Sequence, residues 1–304
     1  MQLEPTYVFA AAIFLFGLCF GSFLNVCIYR LPLGLSVVSP RSACPKCGKA
    51  IAGYDNIPVL SWILLGGRCR GRKAPISPRY MVVELLTGLL WVACFLHFGL
   101  TLQTLKFCVF TFLILGLIFT DFDHKLLPDA MTLPGIWLGF AFSLLVEVGG
   151  VLSHFFSDSQ WILSAPEIGW RMLSLGDALI GAAIGAGFIY GVGEVYMRLR
   201  GMEGMGFGDV KLMSMIGAFL GAKLTLLVLF GASLAGGIFG IFVVAVVFAK
   251  RLRRYGGARV SRAWHSASLA MRSYEMPFGV FLGAIALCAT FFGSEFLRWY
   301  LRGF

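Results

Sequence analysis

The chain has 304 residues, of which 59% are apolar and only 13% are charged, and its mean hydropathy is +0.85. An average soluble domain carries roughly 25% charged residues, so this composition excludes a soluble protein and predicts that lipid surrounds much of the surface. The net charge of +10 does not indicate binding to nucleic acid, because the basic residues cluster in polar loops between apolar segments, as they do in membrane proteins.

Eight segments of the chain approach the length of about 20 apolar residues that a spanning helix needs. We therefore predict an all-α polytopic membrane protein with about eight transmembrane helices. The sixth segment is short, and a tilted or re-entrant helix there would reduce the number of spans to seven. The predicted spans are residues 7–29, 80–99, 101–120, 130–148, 175–197, 209–222, 224–248 and 277–297.

Two polar loops, residues 30–79 and 249–276, contain most of the lysines and arginines. With eight spans both loops fall on one side, and the positive-inside rule makes that side cytoplasmic and the N-terminus external. The sequence thus predicts a first transmembrane helix over residues 1–29, a small cytoplasmic domain over 30–79, and a transmembrane domain over 80–304. The segment 149–174 should lie outside.

Two acidic clusters lie at the predicted cytoplasmic edge of the membrane. Residues 121–129 close the third span, and residues 204–211 open the sixth. A carboxylate at this depth is costly and therefore indicates a function. Two aspartates that share a proton can hydrolyse a peptide bond without a metal, since one activates a water molecule and the other protonates the carbonyl oxygen. Gly206 and Gly208 would let a substrate strand approach closely.

The same acidic residues are also compatible with structural roles or with transport. Asp129 follows Pro128 and could be a helix N-cap, Asp123 could be an exposed turn residue, and Asp209 could simply cap the next helix. Ion-coupled transporters also carry acidic residues in their spans. In a transporter, however, these residues usually lie at mid-membrane and accompany an internal repeat, and no repeat is evident in this sequence.

Short motifs follow one another in a fixed order relative to the predicted spans: Gly21–Val26, Tyr29–Pro32, Cys44–Gly48, Asn56–Pro58, Ser61–Trp62, Arg79–Tyr80, Glu84–Leu85, Asp121–Asp129, Gly204–Lys211 and Pro277–Gly279. Any single motif would be weak evidence. Together they cover most of the chain, and the sequence resembles the bacterial type IV prepilin peptidase family. Members of that family are leader peptidases and N-methyltransferases of pilus and type II secretion systems.

The resemblance implies that Asp121 and Asp209 are the catalytic pair of an intramembrane aspartic protease, with Asp123 as the alternative to Asp121. It further implies that residues 80–304 form the peptidase domain and that residues 30–79 are associated with methylation. The residues expected to support the catalytic pair are Gly206, Gly208, Asp123 and Lys211.

The resemblance also implies the reaction and its place in the cell. The substrates would be prepilins and pseudopilins with a short basic leader, cut after a leader glycine on the cytoplasmic face of the bacterial inner membrane. The new N-terminus would then be methylated with S-adenosylmethionine as methyl donor. The alternatives are a peptidase without methyltransferase activity, a membrane transporter, or a non-enzymatic assembly platform.

The first loop departs from the family pattern at its cysteines. Many members have two Cys-x-x-Cys pairs there, which are interpreted as a four-thiolate zinc site. This chain has Cys44, Cys47 and Cys69, but Arg72 stands in the place of the fourth cysteine. Structural zinc normally takes four protein ligands, and a guanidinium cannot be one of them. A three-thiolate zinc site and a turn with reduced cysteines both remain possible.

One glycine in the same loop also carries an expectation. Gly67, in the Gly66–Gly67 pair, matches a family glycine associated with methylation. A plain β-turn accounts for the same two glycines equally well. The sequence contains no glycine-rich Rossmann fingerprint that would support cofactor binding independently.

Overall fold

The computed structural model describes residues 5–44, 47–148, 151–152, 166–201, 206–254, 260, 264–265 and 277–302. This part of the chain is helical, and it has no β-structure beyond two isolated bridges in the first loop, residues 31–78. Most of the segments 149–174 and 249–276 lies outside the described residues. The α-helices are α1 (Pro5–Arg30), α2 (Leu60–Leu64), α3 (Arg79–Phe98), α4 (Leu102–His124), α5 (Asp129–Ser143), α6 (Pro166–Arg200), α7 (Phe207–Arg254) and α8 (Phe278–Leu301).

Six of these helices, α1, α3, α4, α6, α7 and α8, are long and apolar enough to cross a membrane. The prediction of an all-α polytopic membrane protein is therefore confirmed. Helix α5 has only 15 residues and ends at Ser143, whereas the fourth span was predicted to reach residue 148. Beyond Ser143 the chain turns, and the backbone N–H of Val148 donates to the Ser174 hydroxyl (2.8 Å). Hydropathy alone does not distinguish such an apolar turn from a helix.

Helix α7 is a hairpin with its turn at Gly221, whose backbone angles are φ 75° and ψ 173°. A Cβ atom placed on Gly185 would lie 2.6 Å from the carbonyl oxygen of Met213 and 3.2 Å from the methyl group of Thr225. In a straight helix those two residues would be about 18 Å apart. The chain therefore reverses between them, which gives a first arm (residues 207–220) and a second arm (residues 222–254). The turn lies within the last two residues of the predicted sixth span, residues 209–222, directly before the predicted seventh span.

The described part of the bundle has eight long helical segments, and each runs in the direction opposite to the one before it in the chain: α1, α3, α4, α5, α6, the two arms of α7, and α8. Contacts at glycines show these directions, since small residues let two helix backbones approach closely. For example, Gly17 packs against Gly88 and Gly21 against Glu84, so α1 and α3 are antiparallel.

Pairs of contacts give the other directions in the same way. Helix α3 is antiparallel to α4 (Arg79 with Asp123, Trp91 with Cys108), and α5 is parallel to the first arm of α7 (Gly135 with Met215, Gly139 with Ala218). Helix α6 is antiparallel to the first arm (Gly181 with Gly217, Gly185 with Met213), and α8 is antiparallel to the second arm (Gly231 with Ile285, Gly236 with Phe278) and to α4 (Gly279 with Asp121, Gly283 with Ile118).

The alternation brings both acidic clusters to the end of the bundle that carries the first loop. Helices α1, α4, α6 and the second arm of α7 end there, and α3, α5, the first arm and α8 begin there. Arg30, at the end of α1, fixes the start of the loop, because its guanidinium donates to the carbonyl oxygens of Ser36 (2.8 Å) and Pro40 (2.7 Å).

Candidate active site

Asp121 lies in the last turn of α4, where only 6% of the residue is exposed. The helix ends at His124, and the capping residue Lys125, whose φ of 52° is left-handed, donates its N–H to the Asp121 carbonyl oxygen (2.9 Å). The Asp121 carboxylate accepts the N–H groups of Gly279 and Val280, the latter at 3.0 Å. These are free donors in the first turn of α8, and a helix N-terminus favours an anion. The start of α8 thus holds the carboxylate in place.

Gly279 is required by this contact. A Cβ atom on Gly279 would lie 2.9 Å from an oxygen of the Asp121 carboxylate, which is too close for a side chain to be added without movement. The Pro277–Gly279 motif could be recognised in the sequence, but its role could not. In the structure the motif lets the N-terminus of α8 approach Asp121.

Asp209 lies in the first turn of the first arm of α7. Its backbone N–H donates to the carbonyl oxygen of Gly206 (3.1 Å). Gly208 packs tightly on the loop after α4, since a Cβ there would be 3.0 Å from that of Leu127. The carboxylates of Asp209 and Asp121 are near enough to interact electrostatically, and Gly208 and Gly279, which adjoin them, both pack on Leu127. We call Asp121 and Asp209 the aspartate pair.

The predicted supporting residues occupy different positions. Asp123 forms an ion pair with Arg79, at the start of α3. Lys211 forms an ion pair with Asp129 (2.6 Å). Both therefore have partners other than the aspartate pair, and the geometry favours Asp121 over Asp123 as the partner of Asp209. Gly206 is exposed, and among the described residues a Cβ there would meet only the backbone nitrogen of Gly208, at 3.9 Å.

The first loop brings Cys44, Cys47 and Cys69 together. Their sulfur atoms all lie within 4.8 Å of one another, and those of Cys47 and Cys69 are 3.6 Å apart. Each side of this cysteine cluster is a tight backbone turn: Cys44 N–H donates to the Lys49 carbonyl oxygen (2.9 Å), and Cys69 N–H donates to that of Ala74 (2.8 Å).

The cysteine cluster has the chemistry of a metal site with three ligands. Backbone N–H groups of Arg72 and Gly71 point at the Cys69 sulfur and lower the pKa of this thiol to about 7. The thiolate is the form that binds metals. Zn–S bonds of about 2.3 Å place tetrahedral sulfurs roughly 3.8 Å apart, and the three sulfurs, 3.6 Å apart in one pair and within 4.8 Å in all, lie near that spacing. Arg72 is exposed and offers no fourth ligand.

A cavity of about 1090 Å³ separates the first loop from the ends of α1, α3 and α4. We call it the loop cavity. Its walls include Tyr54, Trp62 and Cys69 from the loop, and Asp123 from the end of α4. Because Asp121 is two residues before Asp123, the cavity and the aspartate pair share the end of α4.

Gly67 shapes this cavity indirectly. Its φ is +64°, which favours glycine, and a Cβ there would lie 2.9 Å from the ring of Trp62. Trp62 lies in the cavity wall and donates its indole N–H to the Ile76 carbonyl oxygen at 3.4 Å. Gly67 therefore belongs to a turn, and the same turn positions a residue of the cavity wall.

An ion pair closes another part of the wall. The Arg70 guanidinium makes hydrogen bonds of 2.8–3.1 Å to both carboxylate oxygens of Asp55. These bonds hold the pKa of the Asp55 carboxyl below its usual value. The guanidinium also lies over the ring of Tyr54, 5.4 Å from its centre.

The fold and the site define a polytopic membrane protein with paired carboxylates on helix ends, the arrangement expected of an intramembrane aspartic peptidase. Residues 15–98 match the family model of the bacterial peptidase A24 N-terminal domain, and residues 107–241 match that of the type IV leader peptidase family. The chain belongs to the type IV leader peptidase family, and the resemblance noted in the sequence is confirmed.

Several curated relatives are similar over most of the chain. A prepilin leader peptidase/N-methyltransferase of Aeromonas hydrophila is 35% identical over 98% of this chain and 96% of its own length. Proteins with the same name from Pseudomonas aeruginosa (33% identical, 97% of this chain and 94% of the relative) and Myxococcus xanthus (42%, 78% and 64%) are also similar. No solved structure matches the chain significantly.

Proposed function

We propose that this protein removes the short basic leader from type IV prepilins and pseudopilins and then methylates the new N-terminal amine. The observation that carries the peptidase proposal is the meeting of Asp121 and Asp209 at helix ends, with the Asp121 carboxylate held by the N-terminus of α8. The names of the similar proteins, prepilin leader peptidase/N-methyltransferase, support the same reaction.

In the proposed peptidase step, a water molecule lies between the two carboxylates. One carboxylate accepts a proton from the water as it attacks the scissile carbonyl carbon, and the other, protonated, donates to the carbonyl oxygen. The pair thus needs one shared proton and no metal. Gly206 supports this assignment, because among the described residues no side chain lies within 4 Å of its Cβ position, and the extended chain around the scissile bond could approach its backbone.

We further propose that all eight helical segments, including α5 and both arms of α7, cross the bacterial inner membrane. The first loop and the aspartate pair would then face the cytoplasm. The alternation of helix direction supports this topology. The positive-inside rule supports the orientation, because the end of the bundle with the first loop carries most of the basic residues. The basic leader of the substrate would lie in the cytoplasm, so a cytoplasmic site could cleave it while the apolar stem is still in the membrane.

For the second step, we propose that S-adenosylmethionine binds in the loop cavity. Ligand cavities commonly measure about 300–1,000 Å³, and the loop cavity, with about 1090 Å³, is large enough for the cofactor. Tyr54 and Trp62 offer rings against which an adenine base can stack. Bound there, the cofactor would supply the methyl group. Because Asp123 and His124 line the cavity, the amine created at Asp121 would have only a short distance to move.

We propose that Cys44, Cys47 and Cys69 hold a zinc ion that fastens the two turns of the first loop to one another. Its role would be structural, since the aspartate pair needs no metal. Metal analysis of the purified protein tests this. The parent should contain a stoichiometric amount of zinc and the Cys69→Ser variant much less. Equal zinc in both proteins, or none in the parent, would contradict the proposal.

A cleavage assay in detergent tests the function as a whole. The purified protein is mixed with a prepilin whose leader ends in glycine, and the product mass is read with and without S-adenosylmethionine. We expect a leaderless product that gains the mass of one methyl group when the cofactor is present. A leaderless product without that gain would leave a peptidase alone and implicate Arg72. No cleavage by the folded protein would reject the proposed function.

A further inference from the structure

Two hydrogen-bond acceptors on the wall of the loop cavity have no role in the site described so far. The first is the side-chain oxygen of Asn25, in α1. Asn25 is 4% exposed, and its amide nitrogen donates to the carbonyl oxygen of Tyr80 (2.9 Å). Its amide oxygen is buried and has no hydrogen-bond partner within the described part of the chain. Buried polar atoms are nearly always paired, so this atom indicates a missing donor.

The second acceptor is the carboxylate of Glu84, in α3, which is 8% exposed. It accepts the backbone N–H of Val59 (2.7 Å) and the hydroxyl of Ser22. Both donors are neutral, and no lysine or arginine of the described residues forms an ion pair with it. Acidic residues are almost never this buried without a charged partner.

The loop holds Val59 in a strained conformation for this contact. Its φ is +62°, and a β-branched residue with positive φ is a genuine outlier. Such strain tends to persist at functional sites, where the surrounding structure enforces it. Here it directs the Val59 N–H at the Glu84 carboxylate.

Asn25 and Glu84 belong to one patch. Gly21, one helical turn before Asn25, packs directly on the backbone of Glu84, and Asn25 bonds to Tyr80, one turn before Glu84. Both side chains line the loop cavity. This corner of the cavity therefore contains a buried neutral acceptor without a partner and a carboxylate that forms no ion pair within the described residues, a combination that suits a ligand with several N–H donors and a positive charge.

We propose that Glu84 and Asn25 bind a primary ammonium group in the loop cavity. The proposal rests on the methyltransferase function proposed above, which has two sources of such a group. One is the new N-terminus of the cleaved substrate, and the other is the α-ammonium of S-adenosylmethionine. A primary ammonium has three donors, enough for the Asn25 oxygen and the Glu84 carboxylate together.

The Glu84→Gln variant of the full-length protein tests the proposal. Glutamine keeps an oxygen to accept the Val59 and Ser22 hydrogen bonds but removes the charge. Three quantities are measured in detergent: the rate of leader cleavage, the Kd of S-adenosylmethionine by calorimetry, and the KM for methylation of a leaderless peptide. We expect unchanged cleavage and a rise of about 10- to 100-fold in the Kd or the KM, since a hydrogen bond to a charged group is lost.

The two sources give different patterns. If the site binds the substrate amine, the KM of the peptide rises and the cofactor Kd stays the same. If it binds the cofactor ammonium, the Kd values of S-adenosylmethionine and S-adenosylhomocysteine rise together, because both carry that group. Parent-like values for Kd and KM, or a loss of cleavage parallel to the loss of methylation, would overturn the proposal.

Further variants keep the test decisive. Glu84→Asp retains the charge and should recover part of the lost affinity, whereas Asn25→Leu should weaken the same step as Glu84→Gln by a smaller factor. Glu194→Gln is the matched control, because it removes a carboxylate at the same end of the bundle but outside the cavity wall. If the parent itself fails to methylate, the proposed function fails. If the parent methylates and the Glu84 variants match it, only the ammonium site fails.

Discussion

The aspartate pair lies on the ends of long helices, whereas the loop cavity is closed on one side by residues that belong to no long helix. Close glycine contacts such as Gly279 on Asp121 and Gly208 on Leu127 position the pair. Backbone turns at the cysteines and the Asp55–Arg70 ion pair hold the loop wall. A change at a helix contact should therefore displace the carboxylates, and a change in the loop should alter the cavity and leave the carboxylates in place.

The largest expected effect is on the cleavage rate, and it should leave methylation, which we assign to the loop cavity, unchanged. Asp209→Asn should fold, because asparagine has nearly the shape of aspartate, but its cleavage rate should fall about 10²- to 10⁴-fold, the range that acid–base catalysis contributes. Asp121→Asn should behave in the same way. Both variants should still methylate a leaderless peptide at a rate near that of the parent, as read by mass spectrometry. Cleavage at the parent rate by either variant would show that the pair is wrongly assigned.

A smaller effect is expected when the contact that holds Asp121 is disturbed. In Gly279→Ala the new methyl group would push against the carboxylate and move it or the start of α8. We expect cleavage to slow about 10- to 100-fold, since small displacements of catalytic groups cost up to about 10²-fold, while methylation of a leaderless peptide persists.

Gly237→Ala provides the control for this variant. Gly237 lies in the second arm of α7, and a Cβ there has no atom within 4 Å. This control should cleave like the parent. Equal rates for the two variants would mean that the tight contact at Gly279 does not position the carboxylate.

On the loop side, Gly67→Ala should impair methylation and spare cleavage. The added methyl group would displace Trp62 in the cavity wall, and we expect the affinity for S-adenosylmethionine to fall about tenfold, the equivalent of about 1.4 kcal/mol. Gly66→Ala is the matched control, because Gly66 has a similar φ of +58° but no atom within 4 Å of its Cβ position. The control carries the same backbone strain without the collision. Equal losses in both variants would attribute the effect to strain alone.

The proximity of the two acidic clusters was predictable from the sequence, and the loop cavity was not. The clusters stood out because a carboxylate at the edge of an apolar segment is costly, and the choice of Asp121 and Asp209 within them came from the resemblance to the family. The positions of Asp123 and Lys211 could not be found, since their ion pairs with Arg79 and Asp129 depend on contacts between helices distant in sequence.

The acceptors of the loop cavity escaped prediction for a related reason. Asn25 and Glu84 lie 59 positions apart in the sequence and meet through the packing of α1 on α3. Nothing in the local sequence indicates that one oxygen of Asn25 lacks a partner. The end of α5 was misjudged because an apolar turn and an apolar helix have the same hydropathy. Spacing and hydropathy thus predicted an all-helical membrane protein, of which six helices are long and apolar enough to cross a membrane, but not the side-chain pairing between the helices.

The smallest expected effect concerns the Asp55–Arg70 pair, in which the Arg70 side chain is 61% exposed and the Asp55 side chain is 11% exposed. Its hydrogen bonds lower the pKa of Asp55, and a carboxyl with a lowered pKa stabilises the folded state above its unfolded pKa and loses that effect as the pH falls through its folded pKa. Asp55→Asn should therefore melt slightly below the parent at pH 7, and the difference should shrink towards zero in strong acid, where Asp55 of the parent is protonated.

Thermal unfolding in detergent measures the difference in melting temperature at pH 7 and in acid, with Arg70→Gln as the matched variant. Because the two residues act as a pair, the double variant should melt close to either single variant. A difference that persists in acid would mean that Asp55 supports the cavity wall by its shape and not by its charge.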